Sequence, residues 1–242
     1  MAIKFLIEGE IDVNELDDVN CVIDFYRGKN TQSVLEGFRR QVKDFFELSP
    51  ILNQYPLPLL HSVKSRIKDS EHLRDKIRRK ANQGISITKE NLFLEITDLI
   101  GVRVLHLYHD QFESIHNEIV KKVSDGDWAW VEKVKAYTWD PEMQSRFSSL
   151  DIGTEIKDSF YTSVHYLVKP NNKRNDICCE IQVRTLFEEI WGEIDHAINY
   201  PHKTDSFACA EQLRVLSKLV STGTRLSDSI FRCYSEQLNK KP

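Results

Sequence analysis

Between residues 33 and 48 the apolar positions repeat with a helical period. Val34, Leu35, Phe38, Val42, Phe45 and Phe46 share one side before Pro50 ends the run. This predicts an amphipathic helix that needs a surface to pack on. Alternation over residues 59–68 predicts a strand, leading into a basic helix from Ser70, whose hydroxyl is the candidate cap. The run VRVLHLYH at 102–109, entered through Gly101, reads as a strand with a helix over 110–123 behind it. Further strands are expected over 128–139, 163–168 and 177–184, and helices over 185–199 and 208–238 with Pro201 between them. Strands and helices mixed in this order predict an α+β fold, a mixed β-sheet flanked by helices. Trp191, Ile194 and Ile198 fall at helical spacing and are expected in the core.

Composition narrows the class of molecule more than its chemistry. A 40% hydrophobic, 29% charged chain of 242 residues is an ordinary globular protein, large enough for one substantial core. No apolar run approaches the roughly 18 residues of a membrane span, and the acidic N-terminus lacks the features of a signal peptide. A cytoplasmic chain without a membrane partner is therefore expected. The anticipated organisation is a catalytic domain over 59–200, a largely helical N-terminal extension over 1–58 and a C-terminal helix over 201–242. Five cysteines, with Cys178 and Cys179 adjacent, make neither a disulfide framework nor a C-x-x-C pair, so reduced, mostly buried thiols are expected.

The net charge of −4 does not point to nucleic acid, but its distribution is uneven. Eight Lys or Arg face three acids between residues 64 and 80, whereas residues 8–24 carry seven acids and no base. The basic block is either a solvated helix face or a polyphosphate site.

Strand neighbours two apart share a face, so polar groups at that spacing in apolar strands carry information. Arg66 and Lys68 do this in SRIKDS, and Gly101 and Arg103 follow Asp98 in TDLIGVRV. Tyr161, Ser163 and His165 alternate in YTSVHY, as do Glu180, Gln182 and Arg184 in CEIQVRT. Any one strand could simply face solvent. Four together supply cations for phosphates, two carboxylates for a hard metal ion and a ring for a base. Neither a P-loop nor a G-x-G-x-x-G turn is present, so phosphates must be gripped by side chains.

The segments SRIKDSEHLRDKI, TDLIGVRV, YTSVHY and EIQVRTLFEEIWGEIDHAINY resemble, in order and spacing, the motifs of the RelA/SpoT nucleotide pyrophosphokinase domain. That resemblance spans roughly residues 60–200. It implies a nucleotidyltransferase-like sheet flanked by helices and a Mg²⁺-dependent transfer of diphosphate from ATP to the 3'-hydroxyl of GDP or GTP. By the same resemblance Arg66, Lys68, Lys76 and Arg103 would bind ATP, and Asp98 would ligate Mg²⁺. Glu180 would be the second carboxylate, as metal ligand or as base toward the 3'-hydroxyl. Tyr161 would stack on the acceptor base, with Lys157, Ser163, His165, Gln182 and Arg184 around the acceptor. The plain alternatives are a solvated Lys76, an Asp98 that only shapes a turn, a core His165 and a helix-surface His196.

No HD-type hydrolase domain is expected, since the stretch before Arg66 is too short for one. Phe160 stands where the resembling family usually has glycine. It is expected either to reshape the acceptor pocket or to point into the core. Two other functions remain open at this point. One is a toxin-like relative that pyrophosphorylates the 3' end of tRNA. The other is a nucleotide sensor without catalysis, against which the two carboxylates argue. A homo-oligomer is a further candidate assembly.

Overall fold

The computed structural model describes residues 13–172, 176–200 and 203–239. Helices α1 (Val13–Arg27) and α2 (Lys29–Leu48) precede strand β1 (Ser62–Ile67), helix α3 (Ser70–Ala81) and the single turn α4 (Leu92–Glu95). Strand β2 (Ile100–His106), a 3₁₀ turn (His109–Gln111) and α5 (Phe112–Ser124) follow. Then come β3 (Trp128–Trp130), β4 (Lys135–Tyr137), α6 (Pro141–Ser149) and β5 (Gly153–Glu155). Strands β6 (Ser163–Pro170) and β7 (Cys179–Thr185) and helices α7 (Leu186–Asn199) and α8 (Phe207–Asn239) complete the described chain.

All strands join one mixed sheet in the order β1-β2-β7-β6-β4-β5, with β3 also pairing β6. The β2–β7 and β4–β5 pairs are parallel and the others antiparallel. Register divides the sheet into two unlike faces. Val63, Val104, Val183, Val164 and Ala136 lie side by side across five strands. This apolar face belongs to the same core as Leu35, Phe38, Val42 and Phe46 of α2, the helix foreseen from periodicity. The opposite face is polar and is where the chemistry collects.

Caps fix where strands hand over to helices. Asp69, rather than Ser70, caps α3 by accepting from the backbone of Glu71 and His72. A carboxylate there also meets the positive end of the helix. Thr185 ends β7 and opens α7 through a reciprocal bond with Glu188. The region 128–139, expected as one strand, is the two short strands β3 and β4. Helix α6 and strand β5 had no forewarning, whereas β6 opens at Ser163 as expected, with Tyr161 just before it. Ile194 and Ile198, expected in the core with Trp191, are each 38% exposed, because α8 covers only one side of α7. All five cysteines are free, but only Cys178 and Cys179 are buried.

Helix α8 docks through a seam of Leu213, Ser217, Val220, Thr224 and Asp228, all buried. Asp228 reaches His109, with Oδ2 3.3 Å from Nδ1, and Glu188 stands 3.9 Å from the other ring nitrogen. Burial opposes a charged ring, yet the two carboxylates outweigh it and raise His109 to about 9. Burial holds nearby His106 down at about 4. His109 therefore contributes its full stability below its ordinary pKa of 6.5 and loses it as pH climbs through about 9. His106 contributes above 6.5 and loses that as pH falls toward 4. The thermal midpoint is expected to peak near pH 6.5 and to fall on both sides, with the alkaline fall weakened in Asp228→Asn. A midpoint that rises from neutrality to pH 9 would contradict this arrangement.

Phe160 neither lines a cleft nor faces the sheet core. Its backbone is left-handed, with φ 63°, the conformation that glycine adopts without cost. The ring stacks on Trp139 at 5.3 Å, under the Arg214 guanidinium at 5.7 Å, and its carbonyl accepts from Ser217 of α8. Phe160→Gly loses this stack but relieves a strain of about 1–2 kcal/mol. A net loss of about 1 kcal/mol is expected, well short of the roughly 3–5 of an ordinary core truncation. Acceptor preference should not move. Thermal melts and competition between acceptors on one preparation measure both.

Candidate active site

The polar face of the sheet is built by strand register. Lys64, Arg103, Gln182 and His165 stand in one row across β1, β2, β7 and β6, and Arg66, Gly101 and Glu180 in the next. Arg66 lies along Gly101, where a Cβ would stand 3.6 Å from its side chain. Two clefts open on this face. The first, about 360 Å³, is lined by Arg66, Asp98, Gly101 and Glu180 among others. The second, about 290 Å³, is lined by Tyr161, Arg184, Gly192 and Tyr200 among others. Arg103, Gln182 and His196 border both, so the clefts are neighbours with a common wall.

Asp98 holds the first cleft's cationic corner together. Lys68, at the end of β1, places Nζ 3.0 Å from Oδ2, and Lys76 of α3 places Nζ 2.8 Å from Oδ1. Burial favours the neutral acid, but the two ammonium groups outweigh it and keep Asp98 below its usual range. Lys68 is buried and its pKa is lowered, burial exceeding the pull of Asp98. Among the described residues Lys76 is the single contact on the buried Oδ1, and a carboxylate oxygen has a second lone pair with which to accept.

Glu180 is held differently. Its Oε1 lies 3.1 Å from His165 Nδ1, its Oε2 accepts from Gln182 at 2.7 Å, and His165 Nε2 lies 3.0 Å from the Tyr161 hydroxyl. A continuous chain thus runs from the phenol of the second cleft to the carboxylate of the first. Burial pushes Glu180 up, yet His165 and Gln182 outweigh it and hold the carboxylate ionised. The Tyr161 ring also meets Tyr137 at 5.9 Å and Trp191 at 6.1 Å. Lys157 sits over Tyr137, Nζ 4.5 Å from the ring centre, and pairs with Glu155. Ser163 is buried one step below, its hydroxyl beside the Tyr161 phenol.

The shared wall depends on Glu189 of α7, which sequence reasoning missed. It is almost fully buried and contacts Arg184, Lys64 at 3.0 Å and Arg103 at 3.3 Å. Burial works against its charge, but the three cations keep it ionised. Gly192 is needed beside it, since a Cβ there would stand 2.7 Å from the Arg184 guanidinium. Glu193 pairs with Arg103 one turn along, and His196, read as a surface residue, stacks on Tyr200 at 4.6 Å in the second cleft. The helical spacing of Glu189, Gly192, Glu193 and His196 was the available signal. Acids in a helix usually mean solvent, so it was not legible alone.

A family model described as the region found in RelA / SpoT proteins matches residues 65–205, more than half the chain. The chain belongs to the RelA/SpoT family. Among curated relatives, the GTP pyrophosphokinase YwaC of Bacillus subtilis (strain 168) is 26% identical over 205 residues, covering 81% of this chain and 85% of that protein. Among solved structures, small alarmone synthetase 1 from Bacillus subtilis superposes with a TM-score of 0.62 at 19% identity, covering 85% of this chain and 94% of that one. The same synthetase has been solved with its product pppGpp and with AMPCPP, at TM-scores of 0.59 and 0.57. A GTP pyrophosphokinase family protein from Streptococcus pneumoniae gives 0.61 at 18% identity, covering 94% and 97%. At these identities the likeness establishes a shared fold, the mixed sheet flanked by helices described above.

No cluster of three or more His, Cys, Asp or Glu able to hold a metal exists among the described residues. Asp98 and Glu180 nonetheless line one cleft, and Asp98 Oδ1 has spare acceptor capacity. Two carboxylates fit a Mg²⁺-like ion that keeps several waters and shares the phosphates of a substrate.

Proposed function

We propose that this chain is a pyrophosphokinase that moves the β,γ-diphosphate of ATP to the 3'-hydroxyl of GDP or GTP, making alarmones of the (p)ppGpp type. The observation that carries the reading is the pair of clefts with a common wall, one rich in cations and carboxylates, the other aromatic. Family membership and the activities named for the relatives support it.

In this reading Arg66, Lys68, Lys76 and Arg103 bind ATP in the first cleft. The cations of that cleft neutralise a polyphosphate that no glycine-rich loop is available to hold. Asp98 and Glu180 would hold Mg²⁺, which when bound supplies charge neutralisation to the transferring group. Tyr161 stacks on the acceptor base in the second cleft, and His165, Gln182, Arg184 and the rim residue Lys157 surround the acceptor. Ser163, buried beneath, supports that floor. Glu180 lines the same cleft as the ATP-binding cations and is held ionised, so in this reading it serves either as metal ligand or as the base that takes the proton of the 3'-hydroxyl. AMP departs as the β-phosphorus is attacked. Positioning and charge neutralisation do most of the work, as is general for anionic phosphoryl groups.

Tyr161→Ala is expected to raise the acceptor KM about tenfold to a hundredfold, a base stack being worth roughly 1–3 kcal/mol, with the ATP KM little changed. Tyr161→Phe keeps the ring, loses only the bond to His165 and should be mild. Steady-state kinetics with each substrate varied in turn tests this, and equal losses for donor and acceptor would remove Tyr161 from base recognition.

A further inference from the structure

Helix α8 reaches the aromatic cleft from behind, through a residue that lines neither cleft. The Ser217 hydroxyl, in a side chain only 3% exposed, donates to the Phe160 carbonyl at 3.0 Å and accepts from the Trp139 indole at 2.7 Å. A hydroxyl has one proton to give and two lone pairs, so this one is used in both directions. One turn earlier, the Leu213 carbonyl accepts from the Trp191 indole at 2.8 Å. Arg214, next to it, reaches the Asp158 carbonyl at 3.3 Å.

These contacts converge on Tyr161. Asp158 and Phe160 belong to the segment that delivers it, and the Trp191 ring meets the Tyr161 ring at 6.1 Å. Phe160 has the left-handed backbone, φ 63°, that a bulky residue rarely adopts. The direction in which the chain leaves it toward Tyr161 is therefore not the local preference, and such a conformation persists only where its surroundings over-determine it. Those surroundings are the Phe160 N–H on the Lys157 carbonyl at 2.9 Å, the Trp139 stack, and the Ser217 hydroxyl on the Phe160 carbonyl. That carbonyl lies in the same rigid peptide plane as the Tyr161 nitrogen, so fixing one fixes the other.

We propose that Ser217 is a positioning residue of the acceptor site: by holding the peptide plane between Phe160 and Tyr161, it sets the Tyr161 ring where an acceptor base can stack. The inference rests on the proposed role of Tyr161 in acceptor recognition, and Ser217 itself touches no substrate. Ser221, one turn further along α8, supplies the comparison. Its hydroxyl donates to Asp140 at 2.8 Å, at the start of α6, and Arg225 also holds that carboxylate. One hydroxyl of the docking seam thus bears on Tyr161, and the next only fastens the helix.

Steady-state kinetics on the full chain, with ATP and GDP varied in turn well below the melting transition, tests the inference. The variants are Ser217→Ala, Ser221→Ala, Tyr161→Ala and the Ser217→Ala, Tyr161→Ala pair. Alanine favours helix, so α8 should form in each. Ser217→Ala is expected to raise the KM for GDP by about threefold to tenfold, the range one hydrogen bond commands, and to leave the KM for ATP unchanged. Ser221→Ala is expected to lower the melting midpoint and to move neither KM. Once Tyr161 is alanine, Ser217→Ala should add nothing to the KM for GDP, because the ring it positions is gone. An unchanged KM for GDP in Ser217→Ala, an equal rise for ATP, the same defect in Ser221→Ala, or a full further rise in the paired variant would each overturn the inference and leave the stacking role of Tyr161 standing. If Tyr161→Ala alone left the KM for GDP unchanged, the stacking role itself would fall and the positioning role with it.

Discussion

Glu180→Gln is expected to lower kcat by about a thousandfold or more while ATP still binds, because the change removes charge and keeps shape. The carboxylate is held by His165 at 3.1 Å and Gln182 at 2.7 Å, and an amide can keep both contacts after reorientation. Folding should therefore survive, with little change in thermal midpoint. What is lost is the ability to accept the proton of the acceptor hydroxyl and to help hold a cation. Base catalysis alone contributes about a hundredfold to ten-thousandfold, so the loss should appear in kcat rather than in the KM for ATP. Single-turnover kinetics separates the two. Near-normal turnover would remove Glu180 from the chemistry and leave it as a residue that orients His165.

Asp98→Asn is expected to have a comparable effect on turnover with an added cost in stability. Its carboxylate is the counter-charge for both Lys68 and Lys76, and Lys68 is buried. Removing one partner of a fully buried pair costs about 3–5 kcal/mol, but Asp98 keeps 23% side-chain exposure, so about 2 kcal/mol is expected. Assays well below the melting transition should still show turnover reduced by about a hundredfold or more, with half-saturation by Mg²⁺ moved to higher concentration, as loss of a hard anionic ligand predicts. A destabilised variant with unchanged turnover and unchanged Mg²⁺ dependence would make Asp98 a structural ion pair only.

What could be read before the fold was known follows from which periodicities survive in sequence. Arg66, Gly101, Arg103, Glu180 and Gln182 lie in long strands, where a two-residue repeat shows which side chains share a face. The mixed sheet was legible for the same reason, since β2, β6 and β7 are seven or eight residues long and carry an apolar residue at every second position over most of their length. Strands β4 and β5 are three residues each, too short for a repeat to register, so Tyr137 went unnoticed as a neighbour of Tyr161. Glu189 stayed hidden because its meaning depends on three cations brought together by strand register and by the packing of α7. The half-exposed Ile194 and Ile198 show the limit of helical spacing, which tells which residues share a side but not what covers it.

Transfer of a diphosphate to the 3'-hydroxyl of a guanine nucleotide, the activity proposed for this site, is tested most directly by following the label. The purified chain is incubated with Mg²⁺ and ATP labelled at the γ-phosphate, and separately offered GDP, GTP, 3'-deoxy-GDP and deacylated tRNA. The account predicts AMP in equal amount to a labelled guanine nucleotide with GDP and GTP, and no labelled product with 3'-deoxy-GDP. Release of ADP and labelled phosphate with no labelled nucleotide, or label entering tRNA alone, would contradict it.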